Sequence, residues 1–396
     1  MNRSRYTTAW LFTIVVALCP FRITAQESVV LPAPSGPYAV GRTKYDWVDE
    51  SRRETLGSEA GRREIVVFVW YPAAAAPGAT KAAWLPPCWA DQLLAYELKT
   101  TPELLSAQQK ESIEAVHTNA VVDAPPLRDR TKFPLLLFAP GYNQLPTSYS
   151  QLIEDIVSHG YVVAAIVPTD FAPVTMLSGH RVVMRSDQIK HATAETFEKV
   201  LPIWTADMLF AFTRLASTDP RGPLHGVIDF GKIGAFGHSF GGATAFEAAL
   251  VEPRIKAAIN LDGDMFGAVA RNGLPKPIAI FEDERNLEHR NNPESLSDHE
   301  RQRLATYDLV LRHGKPGYRF TIRGARHMSF SDEGMLPFVP QAEKASLGTI
   351  APARALRIAE KYVEAFFDRY LKDLDVPVLR GTSREYPELI CKKFNG

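Results

Sequence analysis

The 396-residue sequence predicts an α/β fold in which a mostly parallel central sheet is covered by helices on both faces. Two observations support this prediction. Short runs of β-branched and apolar residues recur along the chain, and several are apolar almost throughout, as expected for strands buried on both sides. Amphipathic helical patterns lie between them, and a regular alternation of strands with helices favours a parallel sheet.

Seven segments carry the strand pattern: residues 64–71, 133–139, 161–167, 232–236, 257–261, 277–281 and 318–322. Two stretches carry a helical pattern. Apolar residues recur at helical spacing over 149–157, with Gly160 as a natural stop, and again over 356–370. We therefore expect strands and helices to alternate through most of the chain.

The first 25 residues are predicted to be a signal peptide rather than part of the fold. Arg3 and Arg5 precede an apolar core over 9–19 that is too short to span a bilayer. Cleavage after this segment would leave residues 26–396 as a single domain that is secreted or periplasmic. The alternative is an N-terminal membrane anchor.

Bulk composition narrows the range of partners. The formal net charge is zero, and the contents of hydrophobic (45%) and charged (23%) residues are ordinary for a soluble protein, so nothing favours a nucleic-acid partner. After the predicted cleavage the chain retains Cys88 and Cys391, and the sequence leaves open whether they form a disulfide. Neither Cys-x-x-Cys nor His-Glu-x-x-His occurs, so no metal site is expected.

The motif G-H-S-F-G-G at 237–242 is the most informative stretch of the chain. It lies between the predicted strand 232–236 and a small-residue helical pattern over 241–250. A strand, a sharp turn and a helix are the setting of a nucleophile elbow, and the glycines permit the tight backbone that this turn needs. Ser239 is therefore predicted to be the nucleophile of an α/β-hydrolase fold.

A serine nucleophile needs a histidine base that is oriented by a carboxylate, and in this fold both follow the serine in the chain. Among the later histidines, His289 and His299 lie in a charged segment, and His313 suits a helix C-terminus. His327 follows the strand 318–322 by a short loop and precedes the C-terminal helix, where this fold places its base. We predict that His327 is the base.

Two aspartates are candidates for the acid. Asp262 directly follows the strand 257–261, and Asp283 comes just after the next strand, 277–281. Both positions follow the carboxyl end of a predicted strand. The residues alone therefore do not decide between them.

The oxyanion hole is predicted to consist of two backbone N–H groups. One belongs to Phe240, the residue after the nucleophile, at the positive end of the following helix. The other is expected from Tyr142, in the Pro-Gly-Tyr-Asn loop that follows the strand 133–139. Gly141 in that loop lets the backbone approach the substrate.

Two segments, 81–130 and 283–312, break the alternation and come where insertions over the active face would be placed. Each either packs on the surface or forms a lid over the substrate. The first carries large apolar side chains close together: Trp84, Leu85, Trp89, Leu93 and Leu94. These either pack onto the sheet or make peripheral contact with a lipid surface, where aromatic residues with one wet edge are favoured.

Four stretches resemble a known family. They are P-Y-A-V-G-R at 37–42 with D-E-S-R-R-E at 49–54; R-E at 63–64 leading to V-W-Y-P at 69–72; the elbow; and T-I-R-G at 321–324 with His327, Phe330 and Asp332. Over most of residues 35–370 the chain resembles the platelet-activating-factor acetylhydrolases of the plasma and isoform II type, together with their bacterial relatives.

The resemblance implies a serine esterase that hydrolyses short or oxidised sn-2 acyl esters of glycerophospholipids through an acyl-enzyme. It implies a small lipid-like ester as substrate and no metal or organic cofactor. It also implies the acid, because the family places it in a Leu-Asp loop that corresponds to Leu261-Asp262. Asp264 departs from the vertebrate members, in which this place is apolar. Alternatives are a general carboxylesterase or cutinase-like polyester hydrolase and, in another class, a non-catalytic binding protein on the same fold.

Overall fold

A mixed sheet of twelve strands runs through the part of the chain that the computed structural model describes. The described residues are 29–56, 61–74, 78–100, 107–128, 132–186, 192–217, 222–337, 339, 346–381 and 383–395. The predicted signal peptide at 1–25 lies outside them. Within these ranges, no helix combines the length and the apolar character that a membrane crossing requires.

The strands are β1 Val29–Val30, β2 Ala39–Arg53, β3 Arg62–Ala73, β4 Lys81–Ala83, β5 Val116–Val122, β6 Phe133–Ala139, β7 Val162–Val167, β8 Val174–Met176, β9 Val182–Met184, β10 Ile228–His238, β11 Ile255–Leu261, β12 Ile278–Glu282, β13 Gly317–Ile322 and β14 Leu389–Phe394. The helices are α1 Pro87–Thr100, α2 Ala107–Glu114, α3 Ser150–Ser158, α4 Ala194–Ala216, α5 Phe240–Val251, α6 Gly267–Asn272, α7 Glu284–Asn291, α8 Asp298–His313 and α9 Pro352–Leu371.

Strand order across the sheet is β1-β5-β2-β3-β7-β6-β10-β11-β12-β13-β14, with β4 paired to β5, while β8 and β9 form a separate hairpin. The run from β7 to β13 is parallel throughout. Both flanks contain antiparallel pairs, of β3 with β2 and β7 on one side and of β14 with β13 on the other. The prediction of an α/β fold with a mostly parallel central sheet is confirmed.

All seven predicted strands are present, and β6 has the predicted bounds. The sequence patterns did not predict β2, β5 or β14. Over much of β2 the exposed and less exposed positions alternate, so this strand lacks the continuous apolar run of a strand buried on both faces. The parallel centre was therefore visible in the sequence, whereas the half-exposed strands of the flanks were not.

Helices cover both faces of the sheet, as predicted. In β6, Leu136 and Phe138 belong to the hydrophobic cluster that includes α3 and α9. Leu135 and Leu137 point the other way and belong to the cluster that includes α4, α5 and α8. Because the central strands are parallel, their carboxyl ends meet at one edge of the sheet, and the loops that follow them converge there.

Segment 81–130 extends the sheet, because its strand β5 pairs with β1 and β2 and its strand β4 pairs with β5. Trp84, Leu85 and Trp89 are buried, and the two consecutive leucines of α1 are half-buried. Nε1 of Trp84 donates a hydrogen bond to Oδ2 of Asp332 at 3.2 Å. The packing alternative is confirmed for these three side chains, which do not face a lipid surface.

Alanine at both Trp84 and Trp89 is expected to destabilise the protein by about 3–5 kcal/mol per site, because each change leaves a cavity in the core. Thermal unfolding should show a lower Tm, while the folded protein should bind phosphatidylcholine vesicles as the parent does. Val122→Ala is the control, since Val122 is exposed on β5. A double variant with an unchanged Tm and weakened vesicle binding would contradict the packing role.

The two cysteines beyond the predicted signal peptide are not cross-linked. Cys88 is exposed near the start of α1, and Cys391 is partly buried on β14. Both are free thiols, and burial raises the pKa of the Cys391 thiol to about 11. The disulfide that the sequence left open is therefore absent between these two residues.

Candidate active site

Ser239 occupies a strained turn between β10 and α5. Its backbone has φ 54° and ψ −127°, a conformation that costs energy for a residue with a side chain and is typical of a nucleophile elbow. The flanking glycines permit it. A Cβ on Gly237 would lie 2.2 Å from the Gly241 carbonyl oxygen, and one on Gly241 would lie 2.1 Å from the Ala139 carbonyl oxygen.

Asp262 and His327 meet beside this turn. Nδ1 of His327 donates a hydrogen bond to Oδ2 of Asp262 at 2.7 Å. Asp262 follows β11 and is buried, whereas His327 begins a 3₁₀ turn after β13 and keeps 39% of its side chain exposed. Ser239, Asp262 and His327 line one cleft of about 240 Å³. The structure thus brings together three residues that lie far apart in the sequence.

Backbone contacts fix the loop that carries Asp262. Its N–H donates to the carbonyl oxygen of Phe281 at 2.9 Å, and its Oδ1 accepts from the N–H of Asp283 at 3.2 Å. The next residue, Gly263, lies against the elbow, where a Cβ would be 1.9 Å from the Ser239 carbonyl oxygen. Glycine is therefore required at 263 for the acid loop to reach the serine.

Asp262 and His327 each favour the charged form of the other. Burial alone would raise the pKa of Asp262, but the hydrogen bond from His327 and the positive charges of His327 and Arg303 hold it below its usual value. Burial disfavours the imidazolium of His327, but the hydrogen bond to Asp262 and the Asp262 charge outweigh it, so the pKa of His327 is raised. This is the electrostatic arrangement that a serine–histidine–aspartate triad uses.

Asp283, the other candidate acid, has a different position. Its side chain caps α7 by accepting a hydrogen bond from the N–H of Asn286 at 3.2 Å, and its own N–H supports Asp262. Burial, followed by repulsion from Asp262, raises the pKa of Asp283 to about 6. His327 donates its hydrogen bond to Asp262 and not to Asp283, and Asp262 is the acid that the resemblance implied.

Both predicted oxyanion donors lie on backbone next to the elbow. Phe240 is the first residue of α5, so its N–H has no acceptor within the helix. Tyr142 follows Gly141, at which a Cβ would lie 3.4 Å from Cβ of Ser239. The loop after β6 therefore reaches the serine.

A hydrogen-bonded chain of buried groups connects this loop to the histidine loop. The N–H of Gly141 donates to the Tyr149 hydroxyl at 3.0 Å, and that hydroxyl lies 2.8 Å from Nδ1 of His238. Nε2 of His238 lies 2.8 Å from the carbonyl oxygen of His327. Because a carbonyl can only accept, Nε2 carries the proton, and Nδ1 accepts from Tyr149.

His238 stays neutral in this chain. Burial, followed by the charge of His327, lowers the pKa of His238 to about 3, so the ring donates at one nitrogen and accepts at the other. Sequence reasoning missed this role of His238, although it precedes the nucleophile within the elbow motif. Tyr149 was recognised only as part of an apolar helical stripe, and no sequence signal pointed to its hydroxyl.

Aromatic rings form one wall of the cleft. The ring centroids of Phe197 lie 4.8 Å from those of Phe240 and 5.4 Å from those of Phe266. Asp264 and Arg303 also line the cleft, so an apolar surface and an ion pair share the space beside the serine. Across the described ranges, no cluster of three or more His, Cys, Asp or Glu side chains could hold a metal ion.

Arg303 was not predicted as a site residue. It lies on α8, within segment 283–312, which forms α7 and α8 beside the sheet. The surrounding sequence is strongly charged, so the sequence alone does not distinguish this arginine from its charged neighbours. One of the two segments outside the strand–helix alternation therefore supplies a side chain to the cleft.

Comparison with known proteins identifies the family. The family described as "Platelet-activating factor acetylhydrolase, isoform II" matches residues 23–190 and 220–382. A protein of Arthroderma benhamiae, named "Probable 1-alkyl-2-acetylglycerophosphocholine esterase", is 28% identical over 96% of this chain and 98% of its own length. The Bos taurus "Platelet-activating factor acetylhydrolase" is 27% identical over 52% of this chain and 50% of its own.

A solved structure is also similar. The ferulic acid esterase from Streptomyces cinnamoneus superposes with a TM-score of 0.73 at 26% identity, over 92% of this chain and 99% of that protein. The family match spans most of the chain, and the elbow, the acid loop and the histidine loop lie within it. The chain therefore belongs to the isoform II family of platelet-activating factor acetylhydrolases and is a carboxylic ester hydrolase with the α/β-hydrolase fold.

Proposed function

We propose that this chain is an exported serine esterase that hydrolyses short or oxidised acyl esters at the sn-2 position of glycerophospholipids. The observation that carries the mechanism is the 2.7 Å hydrogen bond between His327 and Asp262 in the cleft that Ser239 also lines. Export rests on the N-terminal segment 1–25, whose charge pattern and short apolar core are typical of a signal peptide.

In the proposed mechanism, Oγ of Ser239 attacks the ester carbonyl while Nε2 of His327 takes its proton. Asp262 stabilises the imidazolium that forms. The N–H groups of Tyr142 and Phe240 hold the oxyanion, and the proton on His327 then passes to the leaving alcohol. Water, activated by the same histidine, releases the acid from the acyl-enzyme. Every step uses groups of this chain and water.

The proposed substrate class rests on two observations. The Arthroderma benhamiae relative, which aligns over nearly the whole chain, is named for hydrolysis of a 1-alkyl-2-acetyl glycerophosphocholine. The cleft beside Ser239 has about 240 Å³, which suits an acetyl or another short acyl group. Any contact with a lipid surface would use residues other than Trp84 and Trp89, because both are buried.

A second candidate function is hydrolysis of aromatic acyl esters. The rings of Phe197, Phe240 and Phe266 line the cleft and offer faces on which an aromatic acyl group could stack. The ferulic acid esterase to which the fold is similar is named for such a substrate. The two candidates share the serine mechanism and differ in the acyl group.

Relative kcat/KM values distinguish these candidates. We expect 1-alkyl-2-acetyl-glycerophosphocholine to be hydrolysed at least about tenfold more efficiently than its long-chain sn-2 analogue, because the longer chain exceeds the cleft. Methyl ferulate and a soluble polyester oligomer complete the panel, and Ser239→Ala measures the background. A higher kcat/KM for methyl ferulate would favour the aromatic esterase, and one for the oligomer would favour a polyester hydrolase.

A further inference from the structure

We propose that Arg303, restrained by Asp264, is a positioning residue that fixes the Asp262 carboxylate and balances the charge facing His327. This inference rests on the proposed triad. It gives a role to α8 of segment 283–312 and to Asp264, which departs from the vertebrate pattern.

The two oxygens of Asp262 have different surroundings. Oδ2 accepts the hydrogen bond from His327. Oδ1 accepts from the N–H of Asp283 and lies 3.6 Å from Nη2 of Arg303. At that separation the guanidinium attracts the carboxylate without a direct hydrogen bond. It therefore stabilises the charge of Asp262 and leaves Oδ2 to the histidine.

Arg303 is held on several sides. Its Nε forms an ion pair with Oδ1 of Asp264, its Nη1 donates to Oδ1 of Asn286 at 3.3 Å, and its Nη2 donates to the Tyr307 hydroxyl at 3.1 Å. The guanidinium carbon also lies 5.3 Å from the centre of the Tyr307 ring. Only 19% of the side chain is exposed. A side chain restrained in this way places its charge reproducibly.

Asp264 keeps Arg303 from binding Asp262 too tightly. Arginine prefers a bidentate pair with a carboxylate, and such a pair with Asp262 would compete with His327 for its oxygens. The ion pair with Asp264 occupies Nε and holds the guanidinium back from Asp262. Loss of the Asp264 charge should therefore draw Arg303 towards Asp262 and weaken the bond to His327.

The charged and titratable groups that face His327 come from several elements. They are Asp262 after β11, Asp283 before α7, Arg303 on α8 and the neutral His238 on β10. Arg326 directly precedes His327 in the chain. Asp262 and Asp283 raise the pKa of His327, and Arg303 lowers it. Arg326 forms ion pairs with Glu284 and Glu288.

These charges predict shifts of opposite sign. The base must be unprotonated to act, so the acid limb of the kcat/KM profile reports the pKa of His327 in the free enzyme. Arg303→Met removes a positive charge, which should raise that pKa and move the limb to higher pH by about 0.5 units or more. Asp264→Asn removes a negative charge, which should move the limb to lower pH.

The experiment measures kcat/KM against pH with a water-soluble acetyl ester. Arg303→Lys keeps the charge and should return the limb most of the way to the parent position, with a residual loss from the missing planar contacts. Arg301→Met is the matched control, because Arg301 is an exposed arginine on the same helix and pairs with Asp298. This control should leave the limb in place.

Titration of the downfield Nδ1 proton of His327 by NMR gives the same pKa without turnover, so it also serves a variant of low activity. An unshifted titration of His327 in Asp264→Asn would overturn the inference, and so would an unshifted titration in Arg303→Met. So would shifts of the same sign in Arg303→Met and Asp264→Asn. If Ser239→Ala retains activity in the same assay, the proposed mechanism fails instead, and the NMR titration still tests the role of Arg303.

Discussion

Replacing Ser239 with alanine is expected to reduce ester hydrolysis by about 10³-fold or more while the protein stays folded. The change removes the hydroxyl that attacks the ester. Alanine keeps the Cβ, so the backbone strain at φ 54° is the same in both proteins and the turn should form as before. The measurement is kcat/KM for a soluble acetyl ester, with the Tm recorded alongside.

Ser217→Ala is the matched control, since Ser217 is exposed at the end of α4, and it should behave as the parent does. A fluorophosphonate should label the parent and the control but not Ser239→Ala. This labelling pattern would also exclude a non-catalytic binding protein. Activity of the Ser239 variant within about tenfold of the parent would contradict the serine mechanism.

Changing Asp262 to asparagine is expected to lower kcat by about 10³–10⁴-fold. The carboxylate accepts a hydrogen bond from the Nδ1–H of His327, and its negative charge stabilises the imidazolium. An amide nitrogen at this position would favour the tautomer with its proton on Nε2, which cannot accept the proton of Ser239. Because asparagine is close in size to aspartate, the folded structure should persist, and circular dichroism with the Tm checks this.

Asp283→Asn is the comparison that separates the two candidate acids. Asparagine caps helices as well as aspartate does, and the backbone N–H that supports Asp262 is unaffected. We expect this variant to lose less than about tenfold in kcat. If Asp283→Asn were the more damaging change, Asp283 would have to be the acid in place of Asp262.

The parallel half of the sheet and the elbow could be predicted because their signals are local. A strand such as β6 is apolar throughout, and the elbow combines glycines with a serine between two recognisable elements. His327 could be predicted because its place after β13 is set by the order of the strands. For the strand and the elbow a short stretch of sequence is enough, and for His327 the order of the elements along the chain is enough.

Other parts of the site could not be predicted because they depend on residues that meet only in the folded chain. Asp262 and Asp283 follow adjacent strands, so the residues alone did not decide between them; the family resemblance favoured Asp262, and in the folded chain Asp262 is the one that contacts His327. Arg303 reaches the acid from a helix about 40 residues further along the chain. A charged helix face has many arginines, and packing decides which one turns inward.

The neutral ring of His238 restricts how the cleft can be redesigned. Directed evolution of acyl preference can vary Phe197 and Phe266 widely, because these side chains contribute ring contacts and form no part of the hydrogen-bonded chain. The side chain at position 238 must accept a hydrogen bond from the Tyr149 hydroxyl and donate one to the His327 carbonyl at the same time. Apart from histidine, the side-chain amides of asparagine and glutamine combine an acceptor with a separate N–H donor. A library limited to these three residues at 238 should retain far more active clones than one that is fully randomised there.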